Sequence, residues 1–312
     1  MRIDHQRIYR LSIVLGISVI LGSCSSTQEK NHESFAPKNS KDHIANITGS
    51  KELDTNSGLW RTFQSVVSLE LEKNVNPKDV RGSYDAACNG VFIGERLMLT
   101  STTCFLFMSF SVNNFDSELY LPFLLNGQVI HKEDIDRAFI VTSTKSKTAS
   151  VKGFIFSQVG WKKIKPLVGN KYFKLYTKPV HVGEKVMLAG WGNNSARGQR
   201  QRDHGYGTLR YGFNRVKSAG PLIFFPGTDE PEAIDFPVFS KTALGDRGAS
   251  LFYAEDAVDS SYNLKKVPSL IGIAWWDSAT LQDLGSGSSF VHIDQEMADE
   301  IWGMYRRFVS FP

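Results

Sequence analysis

The chain has few cysteines, little net charge and no regular alternation of strand and helix patterns. Only three of its 312 residues are cysteine, and Cys88 and Cys104 have no histidine near them in the sequence. Because two such cysteines cannot complete a tetrahedral zinc site, no metal and no cofactor is predicted. The formal net charge is +4, without a basic block or interleaved aromatic and basic residues, which argues against nucleic-acid binding.

The first residues carry the pattern of an export signal. Three arginines precede the apolar run Leu11 to Leu21, which is short for a bilayer span. The run ends in Leu21-Gly22-Ser23-Cys24, which resembles the lipobox of bacterial lipoproteins and implies cleavage before Cys24 and lipidation of that residue. An ordinary secretory signal with a chance cysteine is the alternative interpretation.

The lipobox resemblance implies a bacterial envelope protein held on the membrane by lipid at Cys24. Ser25 stands where an aspartate would indicate retention at the inner membrane, so the resemblance favours the outer membrane. Loss of residues 1–23 removes three arginines and one aspartate, which lowers the formal charge from +4 to +2. Residues 24–57 comprise the lipidated cysteine and a polar stretch with few large apolar side chains, which predicts a flexible tether.

Lipidation of Cys24 would leave Cys88 and Cys104 as a pair. In an exported protein such a pair predicts a disulfide. It would close a loop of 15 residues, Asn89 to Thr103, for which the chain-entropy relation gives about 3 kcal/mol of stabilisation.

From Trp60 onward the pattern is one of short apolar strands separated by turn residues, which predicts an all-β domain. One amphipathic helix is predicted at the C-terminal end, over residues 294–309. Its apolar residues share one face, Asp294 is a suitable N-cap, and Arg306 and Arg307 suit the negative end of the helix dipole. The apolar face is formed by Met297, Ile301, Met304, Tyr305 and Phe308.

The central motif is a predicted β-hairpin from Cys88 to Cys104, with two apolar runs around Gly94-Glu95-Arg96. It resembles the trypsin-like, chymotrypsin-fold serine peptidases (peptidase S1), in which Leu-Thr-Ala-Ala-His-Cys carries the catalytic histidine. Here the matching run is Leu99-Thr100-Ser101-Thr102-Thr103-Cys104, so Thr103 stands at the position of the histidine.

Further motifs resemble the same family in the same order. The segment around Asp136-Arg137-Ala138-Phe139 is similar to the strand that carries the catalytic aspartate, which assigns that position to Asp136, with Asp134 as a competitor. Gly245-Asp246-Arg247-Gly248 matches the nucleophile motif, with Arg247 in place of the serine. Two matches in the second half are Gly190-Trp191-Gly192 and the strand Leu270 to Trp276.

The resemblance implies two packed six-stranded antiparallel β-barrels and a C-terminal α-helix. It covers residues 58–309, with the first barrel at about 58–165, the second at 166–293 and the helix at 294–309. Gly245 and Asp246 correspond to the oxyanion-hole region, and Lys241 stands at the specificity position. No replacement triad is apparent, since Ser250 falls on the outgoing strand and His131, His181, His204 and His292 lack motif context.

These departures predict a pseudoprotease, because the triad mechanism needs an imidazole base and an activated hydroxyl. One hypothesis is that Arg247 plugs the former active site by pairing with Asp136; the alternative is that Arg247 points to solvent. The predicted role is binding of an unknown protein or peptide, with Trp191, Trp275 and Trp276 as recognition or packing residues. A serine-type hydrolase with an unrecognised constellation and a structural envelope scaffold remain as alternatives.

Overall fold

The computed structural model describes residues 51–53, 58–71, 87–105, 123–191, 209–224, 247–260, 264–276 and 288–309. Within these ranges most of the regular structure is β, arranged as two antiparallel sheets. The predicted signal segment, Cys24, Lys241, Gly245, Asp246 and His204 lie outside the described residues.

The first sheet is formed by the N-terminal half and contains seven strands in the order β6-β5-β2-β3-β4-β8-β7. Its strands are β2 (Val66–Leu71), β3 (Ala87–Gly94), β4 (Leu97–Ser101), β5 (Phe123–Leu125), β6 (Gln128–Ile130), β7 (Ile135–Thr142) and β8 (Ser150–Phe156).

The second sheet also contains seven strands, in the order β1-β10-β9-β12-β13-β14-β11. Its strands are β1 (Lys51–Glu52), β9 (Lys185–Gly190), β10 (Arg210–Arg215), β11 (Leu222–Phe224), β12 (Ser250–Tyr253), β13 (Ser269–Trp276) and β14 (Ser289–His292).

The architecture confirms the predicted all-β class with two sheets and a C-terminal helix, but differs in two details. Each described sheet has seven strands where six were predicted. The additional strand of the second sheet is β1, where Lys51 pairs with Tyr211 and Glu52 with Arg210. The second difference concerns the predicted tether, residues 24–57. Strand β1 and the buried Leu53 lie within that stretch, so this part of it belongs to the folded domain.

Most central strands are apolar on both faces, which explains their continuous hydrophobic runs. In β4, Leu97 and Leu99 join a core that contains residues of both sheets, whereas Met98 joins a core formed by the first sheet and the helix Gln158–Val168. In β9, Met187 contributes to the shared core and Leu188 to a core of the second sheet. Burial on both faces removes the alternation of polar and apolar residues that marks half-exposed strands.

The part of the chain that the structure describes also contains three α-helices: α1 (Gly58–Phe63), α2 (Gln158–Val168) and α3 (Gln295–Val309). The prediction of α3 is confirmed, and its start is capped as expected because Asp294 Oδ1 accepts the backbone N–H of Met297 at 3.1 Å. Helix α2 was not predicted. None of the helices among the described residues has the length and apolar character needed to cross a bilayer.

Candidate functional site

The β3–β4 hairpin has its predicted form and delivers Thr103 to the junction of the two sheets. The turn falls at Glu95 and Arg96, and Arg96 has a φ of 66°. Strand β4 then leads into a 3-10 turn, Thr102–Phe105. Thr103 is 7% exposed, and its hydroxyl donates to the backbone carbonyl of Trp275 on β13 at 2.8 Å.

A second hydroxyl lies beside Thr103 at this junction. The Ser101 and Thr103 side-chain oxygens are 2.7 Å apart, and Ser101 Oγ also lies 3.5 Å from the Trp275 carbonyl oxygen. Ser101 is 1% exposed. Both hydroxyls therefore connect the end of β4 to β13 of the opposite sheet.

Arg247 begins the turn that leads into β12, and this turn packs directly on the hairpin. The Arg247 carbonyl accepts the backbone N–H of Asn89 at 2.7 Å and the Asn89 side-chain amide at 3.3 Å. Gly248 has a φ of 78°, and a Cβ there would lie 2.1 Å from Asn89 O and 2.6 Å from Thr100 Oγ1. Only glycine fits this approach, which brings Arg247 beside the segment that carries Thr103.

Asn89 also fixes the position of Trp191. Its Oδ1 accepts the backbone N–H of Trp191 at 2.6 Å, and the Trp191 indole N–H donates to Val66 O at 2.9 Å. The indole packs edge-on against Trp60, with ring centroids 6.3 Å apart. Trp191 is therefore a packing residue between the sheets, one of the two roles predicted for it, and the side chain of Trp276 is not described.

Asp136 does not belong to this site, which corrects the triad assignment and the plug hypothesis. Its carboxylate pairs with the guanidinium of Arg96, and its side chain is 41% exposed. Asp136 lies near the start of β7, at the end where Arg137 pairs with Ile155. The other end of β7 is the one near the junction, because Thr142 pairs with Ser150 and Ser150 Oγ lies 3.2 Å from Thr102 Oγ1. The distance along the strand from Asp136 to Thr142 is about 20 Å. Asp136 and Thr103 thus lie at opposite ends of the first sheet.

The competitor Asp134 is equally remote from the junction. It is fully buried, with Lys163 Nζ 2.6 Å from its Oδ1, and its other oxygen accepts the backbone N–H of His131 at 3.0 Å. These contacts fix helix α2 against the 3-10 turn Lys132–Asp134. Its role in the described structure is to join these two elements.

Comparison with known proteins identifies the architecture. The sequence matches no protein-family model and no curated protein. A solved structure with a similar fold is the scabies mite inactivated protease paralogue S-I1, at 12% identity and a TM-score of 0.50, covering 83% of this chain and 99% of that one. The fold is chymotrypsin-like. Identity this low establishes the fold and nothing about activity.

In this chymotrypsin-like fold, β8 rather than β7 is the strand beside β4, and sequence reasoning missed that. Ser101 pairs with Val151 and Thr100 with Lys152. The residue that β8 brings to Thr102 is Ser150, so the described junction holds hydroxyls where the resemblance predicted a carboxylate. The largely apolar stretch from Val151 to Phe156, interrupted by Lys152, was the available signal, but Asp136 at the start of β7 gave the closer motif match.

A buried lysine beside the cysteine pair was also missed. Lys152 is 3% exposed, and its ammonium lies 5.5 Å from the centroid of the Phe154 ring. Burial lowers the pKa of Lys152 to about 8, and the negative charge of an ionised Cys104 opposes that shift. The sequence signal was a lysine within an otherwise apolar strand.

Cys88 and Cys104 lie together, but the predicted disulfide is not shown because both are thiols in the structure. Burial raises the pKa of Cys104, yet hydrogen bonds outweigh that effect and the pKa is lowered overall. The side chains of Cys88 and Thr100 make two of these bonds, Thr100 Oγ1 lying 3.3 Å from Cys104 Sγ. The positive charge of Arg247 acts in the same direction, which places that side chain near the pair.

The described histidines serve other parts of the fold. His131 and His181 are exposed, and His292, on β14, is hydrogen-bonded to the backbone of Gly220. Burial lowers the pKa of His292. Among the described residues no imidazole is hydrogen-bonded to Ser101 or Thr103, and no three His, Cys, Asp or Glu side chains group in a way that could hold a metal.

Proposed function

We propose that this chain is a catalytically inactive protein of chymotrypsin-like fold that acts by binding a protein or peptide. The observation that carries the proposal is the pairing of Thr103 with the Trp275 carbonyl at the sheet junction, next to the turn of Arg247. A threonine hydroxyl is no base near neutral pH, and a guanidinium stays protonated and carries no nucleophilic oxygen.

The ligand would contact the junction between the sheets, where Thr102 is partly exposed and Trp275 is partly buried. Trp275 supplies aromatic area of the kind that anchors protein interfaces. Arg247 is partly exposed in the same region and adds a fixed positive charge.

The proposed location is the bacterial envelope, with the domain held at the outer membrane by lipid on Cys24. Support comes from the lipobox-like Leu21-Gly22-Ser23-Cys24. Radiolabelled palmitate should enter the wild-type chain and be absent from Cys24→Ser. Equal labelling of the two would remove the anchor from the proposal.

Loss of catalysis can be tested with the purified full chain. We expect no labelling by a fluorophosphonate probe and no cleavage of a mixed peptide library, with trypsin as the positive control. A serine-type hydrolase would instead show labelling that one Ser→Ala substitution abolishes, with Ser101→Ala and Ser150→Ala as the first variants. That result would replace the inactive interpretation.

Binding can be tested by a photo-crosslinking amino acid placed at Thr102, on the junction, or at Arg306, an exposed residue on α3. A binding protein should yield a discrete crosslinked species in cells from position 102 and none from position 306. Crosslinks of equal strength from both positions, or from neither, would favour the structural scaffold.

A further inference from the structure

A lysine-rich stretch, called the strip below, comprises α2 and the segment that leads from it into the second sheet. Residues 158–183 contain no aspartate or glutamate. All six lysines of this stretch are exposed. They are Lys162, Lys163, Lys165, Lys171, Lys174 and Lys178.

Five of the six lysines have no ion-pair partner within the described structure. Lys163 is the exception, because its ammonium lies 2.6 Å from Asp134. The charge of the strip is therefore largely uncompensated locally, although the whole chain is nearly neutral. Sequence reasoning missed this because buried apolar residues separate the lysines along the chain.

The outward face of α2 adds exposed apolar side chains to this charge. The helix packs inward through Gly160, Trp161, Ile164 and Val168. Gly160 approaches so closely that a Cβ would lie 2.1 Å from Asp134 O. That packing leaves Val159 60% and Leu167 36% exposed among the lysines. Val182, at the end of the strip, is 68% exposed.

We propose that this lysine strip docks the domain onto an anionic phospholipid surface. Lysines near a bilayer are attracted by acidic headgroups, and small apolar side chains between them can enter the headgroup region. Val159 and Leu167 favour lipid over nucleic acid, since base stacking uses aromatic side chains and the described outward residues of α2 include none.

The choice of a bilayer as the occupant rests on the proposed lipid anchor. A chain already held at the membrane meets it at high effective concentration, so a weak surface contact is sufficient to orient the domain. The strip would then decide which side of the domain faces the lipid and which remains open to a ligand.

The test uses the full chain with Cys24→Ser, which cannot be acylated at that residue. Vesicles of phosphatidylglycerol and phosphatidylcholine, or of phosphatidylcholine alone, are titrated at low and at physiological salt. Using both vesicle types separates charge-dependent binding from any hydrophobic binding by the N-terminal segment. We expect clear preference for the anionic vesicles, reduced by salt.

The triple variant Lys162→Gln, Lys165→Gln, Lys174→Gln should bind anionic vesicles roughly 100-fold more weakly, from the contribution typical of three lysines at an anionic surface. The matched control Lys147→Gln, Arg306→Gln, Arg307→Gln removes the same charge from exposed residues outside the strip and should bind like the parent. Unchanged melting temperatures would verify the folding of both.

Equal weakening in the two triple variants would overturn the proposal, because it would reduce the effect to net charge. So would binding without preference for anionic vesicles, or tighter strip-dependent binding to single-stranded DNA or an acidic peptide. Palmitate labelling of the wild-type chain tests the anchor separately. Labelling of the wild-type chain together with failure of Cys24→Ser in the vesicle assay refutes only the strip. Vesicle binding by Cys24→Ser without labelling of the wild-type chain refutes only the anchor.

Discussion

Asn89 on β3 and Arg247 before β12 connect the two sheets through one carbonyl oxygen. The Arg247 carbonyl receives both the backbone N–H of Asn89 and its side-chain amide, at 2.7 and 3.3 Å. The side-chain oxygen of Asn89, Oδ1, accepts the backbone N–H of Trp191 at 2.6 Å. One fully buried side chain therefore determines how the hairpin, the Arg247 turn and the Trp191 segment meet.

Replacing Asn89 by alanine should lower the free energy of unfolding by about 1–3 kcal/mol, because it leaves the Trp191 N–H without its buried acceptor. Urea denaturation of the full chain measures the change. Asn170→Ala, at an exposed position, is the control and should alter stability by less than about 0.5 kcal/mol. Equal stability of Asn89→Ala and the parent would show that this connection contributes little.

The pairing of Asp136 with Arg96, and not with Arg247, gives a second prediction, which two double-mutant cycles test. Asp136→Asn with Arg96→Ala should be non-additive, because the two groups form an ion pair. Asp136→Asn with Arg247→Ala should be additive within about 0.5 kcal/mol. Because the Arg96 side chain is only 7% exposed while that of Asp136 is 41% exposed, Asp136→Asn alone should cost about 1–3 kcal/mol, the range for a hydrogen bond to a charged group. Coupling between Asp136 and Arg247 would restore the plug hypothesis.

The sequence predicted those elements that have a local signature. The β3–β4 hairpin follows from two apolar runs around a Gly-Glu-Arg turn, and α3 follows from its apolar face and the Asp294 cap. Helix α2 was missed although Ser157 caps it, with Ser157 Oγ accepting the Gly160 N–H at 3.0 Å. Its exposed lysines and internal Pro166 obscured a face formed by only a few buried residues.

The site was only partly predictable, because the residues of a strand do not reveal which other strand lies beside it in the sheet. The motifs identified Thr103 and Arg247, which the structure brings to one junction. They misplaced Asp136, since a motif of an acidic residue before an apolar strand fits β7 although β8 lies beside β4. Strand order depends on pairing between distant segments, so the presence of Ser150 at the junction emerged only from the structure.

The close contact at Gly160 gives a third prediction. A Cβ at this position would lie 2.1 Å from Asp134 O, a backbone atom that cannot move without displacing the 3-10 turn beneath α2. Gly160→Ala should therefore destabilise the fold by about 1–3 kcal/mol, as overpacking does. Gly303→Ala in α3 is the matched control, because nothing lies within 4 Å of its Cβ; helix propensity should make it neutral or slightly stabilising. Similar melting temperatures for the two variants would contradict the packing of α2.

The contact between Cys88 and Cys104 gives a fourth prediction. Chain isolated from an oxidising compartment should show no thiol at these positions by mass spectrometry after alkylation, since the two side chains are already hydrogen-bonded. Cys88→Ser with Cys104→Ser should be less stable by about 3 kcal/mol, the value expected for a loop of this size. A chain that is alkylated at both residues without prior reduction, and as stable as the double variant, would show that the pair stays reduced.

Lys152 gives the last prediction, a rise of stability with pH. Its pKa is about 8 in the folded chain and 10.5 in the unfolded chain, so between these values the unfolded state binds more protons. Stability therefore increases from pH 8 to 10.5, by about 3 kcal/mol in total, and stays flat below pH 8 as far as this group is concerned. Lys152→Met should remove that increase, whereas Lys147→Met, at an exposed position, should retain it. Urea denaturation at several pH values gives the unfolding free energy of each variant and of the parent. The difference between variant and parent contains the contribution of the substituted lysine and cancels that of the tyrosines, which titrate in the same pH range. An identical pH slope in Lys152→Met and the parent would mean that the ammonium is solvated in the folded protein.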